Sequence, residues 1–68
     1  MSFQKRLISL RKANSVTQKQ LAIGINVSEN AIQNYESGRR KPTFDILIAL
    51  ADYFNVSLDY LVGRSDTP

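Results

Sequence analysis

Cysteine and histidine are both absent from the sequence. Without cysteine no disulfide can staple the fold, and without either residue the usual ligands for zinc, copper or haem are missing. The same absence leaves only carboxylates, lysines and hydroxyls as possible catalysts. With 68 residues the chain is one domain at most, and domains of this size bury only roughly 60% of their unfolded surface, which leaves little room for a pocket. No enzymatic activity, metal, cofactor or small-molecule substrate is therefore expected. Asp45, Asp52, Asp59 and Asp66 do recur every seven positions. They fall across two predicted helices and a break, which describes a solvated face rather than a metal site. Long apolar runs are lacking as well. The longest apolar-rich stretch, Phe44 to Phe54, is about half a membrane span and carries Asp45 and Asp52. The opening MSFQKRLISLRK has no apolar run of signal-peptide length. These absences predict a cytoplasmic protein with no membrane partner.

What is present is a composition 43% hydrophobic, enough to close one core, and a net charge of +3 that is unevenly placed. Residues 1–41 hold Lys5, Arg6, Arg11, Lys12, Lys19, Arg39, Arg40 and Lys41 against Glu29 and Glu36. Residues 42–68 hold only Arg64 against Asp45, Asp52, Asp59 and Asp66. A polyanion would be drawn to the first part and turned away from the second.

The apolar residues follow helical spacing throughout. Phe3, Leu7, Ile8 and Leu10 mark a first helix that Asn14-Ser15 breaks. Thr17-Gln18-Lys19-Gln20 matches a capping box and opens a short second helix through Leu21, Ala22 and Ile23. Gly24 favours a stop, and Asn26 tolerates a left-handed backbone, so the chain turns there. Ser28 caps a third helix, Glu29 to Ser37, closed by Gly38. Pro42 blocks any continuation, and Thr43 caps a fourth helix carrying Phe44, Leu47, Ile48, Leu50, Ala51 and Phe54, ended by Asn55. Ser57 caps a last helix from Leu58 to Val62, stopped by Gly63. The expected fold is all-α, a compact unit of five short helices over residues 1–63, with residues 64–68 as a frayed, flexible tail.

On the third helix Val27, Ala31, Ile32 and Tyr35 gather toward the core, which leaves Glu29, Asn30, Gln33 and Asn34 facing out. A primary amide offers a donor and an acceptor side by side, matching the N6 donor and N7 acceptor of adenine in the major groove, and Glu29 could accept from the N4 amine of cytosine. Amides alone also suit an ordinary solvated surface. Their setting favours a ligand: two short helices joined by a tight turn have the layout of a helix-turn-helix, whose second helix lies in the major groove with its N-terminal residues at base edges. Arg39, Arg40 and Lys41 follow the far end of that helix, where a groove-bound helix passes back over phosphates.

The stretch TQKQLAIGINVSENAIQNYESGRRKPTFDILIALADYFNVSLDYLVG resembles the helix-turn-helix domain of the Xre family, which includes the lambdoid phage repressors and Cro proteins. The resemblance covers residues 3–63 and rests on Thr17-Gln18 with Leu21-Ala22, Val27-Ser28, Ile32, Tyr35-Glu36, Gly38, Pro42-Thr43 and the closing VSLDYLVG. It implies a lambda-repressor-like fold and a sequence-specific binder of double-stranded DNA that regulates transcription, as a repressor. By resemblance, Glu29, Asn30 and Asn34, with Gln33 beside them, match base-reading positions. Gln18 matches a residue that touches phosphate, with Lys19 and Ser28 counted beside it, and Arg39, Arg40 and Lys41 match a loop on the DNA backbone. Arg11 and Glu36 match a buried structural ion pair. Two departures stand out. Asn26 replaces the family's usual glycine, and Gly24 occupies a position more often charged, which together imply a looser turn.

One such domain contacts few base pairs, so a homodimer on a palindromic operator is expected. Phe44, Leu58, Tyr60 and Leu61 are its candidate surface, although Leu58 and Leu61 fit the core better. The alternative is a protein-interaction module, such as an antitoxin or antirepressor. An exposed apolar patch in place of Gln33 and Asn34 would mark it, and the sequence has none.

Overall fold

Every helix of the chain begins behind a hydroxyl. The side chains of Ser2, Thr17, Ser28, Thr43 and Ser57 accept from the backbone N–H groups of Lys5, Gln20, Ala31, Ile46 and Tyr60 at 3.0–3.3 Å. Each bond satisfies one of the donors that a helix start leaves without an internal partner. The computed structural model describes residues 1–68. In it five helices follow from these caps: α1 (Phe3–Ala13), α2 (Gln18–Gly24), α3 (Glu29–Ser37), α4 (Phe44–Phe54) and α5 (Leu58–Leu61). The capping box at α2 is complete, because the Gln20 side chain also accepts from the Thr17 N–H at 2.9 Å. The last helix ends one residue before the expected Val62, which instead serves as its C-cap.

The connections share a second device. Ser15, Asn26, Gly38, Asn55 and Gly63 follow the five helices in turn, and all have positive φ, between 56° and 86°. The turn between α2 and α3 is not loose. Ile25, Asn26 and Val27 donate to the carbonyls of Leu21, Ile23 and Ala22 at 2.9–3.3 Å, with Asn26 at φ 60°. Gly24 does not stop α2 by leaving the helix, since it is the last helical residue. Its value is space: a Cβ there would lie 2.4 Å from Cε2 of Tyr53. The missing side chain lets the end of α2 press against the end of α4.

Leu7, Leu21, Ala22, Ile32, Tyr35, Leu50, Ala51, Phe54 and Leu61 form the buried core, drawn from all five helices. Around it α1 packs on α3 and α5, α2 on α3, and α4 on α5. Val27 and Ala31 are half-buried at its margin. Two of the candidate dimer residues are engaged internally, as Leu61 is fully buried and the Tyr60 ring lies 3.7 Å beneath the guanidinium of Arg6. Phe44 is exposed at 66%.

Arg6 is itself buried, which a count of charge along the sequence does not reveal. It stacks on Tyr60 and donates to the Ser65 carbonyl at 3.3 Å, while its Nε has no partner. The segment expected to fray therefore lies against α1 and α5. The Ser57 N–H donates to the Pro68 carbonyl at 3.1 Å, and those of Arg64 and Ser65 donate to the Asp59 carbonyl at 2.8 and 3.2 Å. No helix is long and apolar enough to cross a membrane.

Candidate nucleic-acid interface

The outward side of α3 follows from its inward side. Ile32 and Tyr35 are buried, and at 3.6 residues per turn this turns Glu29, Asn30 and Gln33 out, where all three are exposed. Asn34 sits at the edge of that face and is half-buried. The exposed amides and carboxylate make no hydrogen bonds within the protein. Ser28 stands before them with its hydroxyl accepting from the Ala31 N–H at 3.1 Å. Its own proton is not needed for capping and stays available as a donor.

A network of side chains fixes how α3 is held. Arg11, in the last turn of α1, forks onto Glu36 of α3, with Nε donating to Oε2 at 2.6 Å and Nη2 to Oε1 at 3.1 Å. Its third nitrogen donates to the Val16 carbonyl at 3.1 Å, in the link between α1 and α2. Gln18, the first residue of α2, donates from Nε2 to Glu36 Oε1 at 3.0 Å. The Arg11 and Glu36 side chains are 15% and 7% exposed. A bidentate pair this sheltered is geometrically specific, and breaking it would strand a charge. The pair expected from resemblance is present, and Gln18 joins it, a link not visible in the sequence.

The cationic loop is tied to the same helix. The Arg40 N–H donates to the Asn34 carbonyl at 3.3 Å, and the Arg39 N–H to the Ser37 hydroxyl at 3.4 Å. Arg39, Arg40 and Lys41 are exposed, as is Lys19. The ion pairs of the chain are Arg6 with Asp66 and Arg11 with Glu36. None of these four cations is neutralised by an acid, so each is free for an external anion. Arg6 and Arg11 are not free, which subtracts them from the basic surface implied by the N-terminal charge.

Gln4 was not singled out in the sequence. Its side chain lies beside the turn at Gly38, where a Cβ would stand 3.3 Å from its Nε2. With Phe3, Lys41, Pro42, Leu47 and Val62 it lines an open hollow of about 210 Å³. Only tertiary packing brings the first turn of α1 to this loop, and no local pattern could announce it. The hollow is smaller than the roughly 300 Å³ at which ligand pockets begin.

Comparison with known proteins agrees with this geometry. Residues 7–61 match the helix-turn-helix family. The HTH-type transcriptional regulator ImmR of Bacillus subtilis is 41% identical over 66 residues, covering 97% of this chain and 52% of ImmR. The cryptic phage CTXphi transcriptional repressor RstR of Vibrio cholerae is 41% identical over 64 residues, covering 94% of this chain and 57% of RstR. The chain thus spans about half the length of these curated relatives. Among solved structures, the P22 c2 repressor in complex with a synthetic operator superposes with a TM-score of 0.88 at 28% identity, covering 96% of this chain and 98% of that one.

Proposed function

The protein belongs to the helix-turn-helix family of Xre type, and from that premise we propose that it binds double-stranded DNA sequence-specifically and represses transcription. The observation that carries this reading is the pairing of faces on one helix. α3 presents Glu29, Asn30 and Gln33 exposed and internally unbonded, and its far end runs into three unneutralised cations. In a major groove the first set meets base edges, and the second meets phosphates.

On this reading Asn30, Gln33 and Asn34 offer donor–acceptor pairs to bases, and Glu29 accepts from an exocyclic amine. Arg39, Arg40, Lys41 and Lys19 neutralise phosphates, while Gln18 and Ser28 donate to them. α2 crosses the backbone and α3 enters the groove. Occlusion of a promoter then needs no further chemistry, and no catalytic role is assigned to any residue. A reading face this small recognises few base pairs, so a homodimer on a palindromic operator, acting in the cytoplasm, completes the proposal. Exposed Phe44 is the apolar residue best placed among the candidates for contact between copies.

The test is selection of bound duplexes from a randomised pool at physiological salt, followed by sequencing. A two-fold symmetric motif is the expected result. Binding with no enriched motif would refute specificity and leave only phosphate affinity. Absence of binding would refute the reading altogether.

A further inference from the structure

Gln18 opens α2, so its amide sits where α2 would meet a DNA strand, yet the same amide is already engaged inside the protein. Its Nε2 donates to Glu36 Oε1 at 3.0 Å, and its oxygen makes no hydrogen bond within the chain. A carboxylate has no proton to give, so the end of the amide facing Glu36 has to be the nitrogen. The Gln18 side chain is thereby set in one of its two orientations before any ligand arrives. One N–H is committed to Glu36, and the second N–H on the same nitrogen is the only donor the side chain has left. Glu36 can do this without repelling a nearby phosphate because Arg11 covers both of its oxygens, at 2.6 and 3.1 Å.

We propose that Glu36 is a positioning residue for DNA binding: it orients the Gln18 amide so that its remaining N–H meets a phosphate. This inference rests on the DNA-binding reading given above. Glu36 touches no DNA, being 7% exposed at its side chain, and acts only through Gln18. Pre-setting the amide removes an orientational cost that a free glutamine would meet on binding. The contact carries no net charge, so it adds affinity for any sequence without adding to salt dependence.

The test is a double-mutant cycle with Gln18→Ala, Glu36→Gln and the double variant, on a short duplex of mixed sequence at low salt. Thermal melts first define a temperature at which every variant is folded. Loss of the phosphate contact in Gln18→Ala should weaken binding about tenfold, as for a hydrogen bond to a charged group. Glu36→Gln should weaken it several-fold, and should have no further effect once Gln18 is alanine. The slope of affinity against salt should stay unchanged in Gln18→Ala, which alters no charge. Additive effects, or a Glu36→Gln protein that binds as the parent does, would overturn the positioning role. A second measurement needs no variant. In NMR spectra of the parent protein, one Gln18 side-chain amide proton should be shifted and protected from exchange, and DNA should perturb the other. Equal, rapid exchange of both protons would overturn the proposal. Failure of the parent protein to bind any duplex would instead refute the DNA-binding reading itself, so the two failures are distinct.

Discussion

Replacing Arg40 with alanine tests which cations belong to the interface, because its effect is expected in salt dependence more than in base preference. Arg40 is exposed and has no acidic partner, so its full charge can displace a counterion from DNA. Each neutralised phosphate steepens the slope of log affinity against log salt by about 0.9. If Lys19, Arg39, Arg40 and Lys41 each neutralise one, a protomer has a slope near −3.6, and Arg40→Ala brings it to about −2.7. Over a fourfold rise in salt that single contact is worth about three- to fourfold in affinity. Arg6→Met supplies the control. Arg6 is buried with its Nε unpartnered, and methionine keeps contact with the Tyr60 ring while removing a desolvated charge. Its slope should match the parent's, and its stability should change by less than about 1 kcal/mol. Fluorescence anisotropy titrations of a labelled duplex at several salt concentrations measure the slopes directly. Equal slopes for Arg40→Ala and the parent, or an equal reduction in Arg6→Met, would refute the assignment of charges.

Three further outcomes follow from particular contacts. Asn30→Ala should lose about 1–3 kcal/mol of discrimination at one base pair per half-site, with no change in salt slope, measurable by titrating single-substitution operators once the selected motif is known. Arg11→Met should destabilise the fold by about 3–5 kcal/mol in urea unfolding, because Glu36 is left sheltered with only Gln18 for company; a loss below about 1 kcal/mol would show that the pair is dispensable. Gly24→Ala forces a Cβ into the Tyr53 ring, at 2.4 Å from Cε2. The overpacking penalty of about 1–3 kcal/mol should outweigh the gain in helix propensity of up to about 1 kcal/mol. In a Tyr53→Ala background the sign should reverse, and a stabilised Gly24→Ala single variant would show that the ring moves aside freely.

Much of the fold could be read locally because its stops and starts are local. Thr17, Ser28, Thr43 and Ser57 were legible as caps since a hydroxyl bonds the backbone three residues on, whatever the rest of the chain does. Asn26 and Gly38 were legible for the same reason, through a left-handed backbone that few residues accept. The outward face of α3 followed from Ile32 and Tyr35 by periodicity alone. The helix does end at Gly24 as its residue type suggests, but the closeness of Tyr53, distant in sequence, was not legible there. The same distance hid the hydrogen bonds of residues 64–68 to Arg6, Ser57 and Asp59.

Charge shows most plainly where local reading stops. A sequence counts Arg6, Arg11 and Arg40 as equals, since all three carry the same fork of donors on the same stem. Their fates differ through partners supplied by other helices: Arg6 is covered by Tyr60 and the C-terminal segment, Arg11 is forked onto Glu36, and Arg40 meets no acid. Only the last kind of arginine attracts a polyanion at short range, yet the second kind is what holds α3 and the Gln18 amide in place for it. On the DNA-binding reading proposed above, the basic half of the chain supplies the binding charge and part of the scaffold that aims it, and separating the two takes the tertiary contacts. That division predicts a different signature for each: Arg40→Ala changes the salt slope at constant stability, Arg11→Met lowers stability, and Arg6→Met leaves both nearly as they were. Arg40, if its variant moved both together, would have been placed on the wrong side of the division.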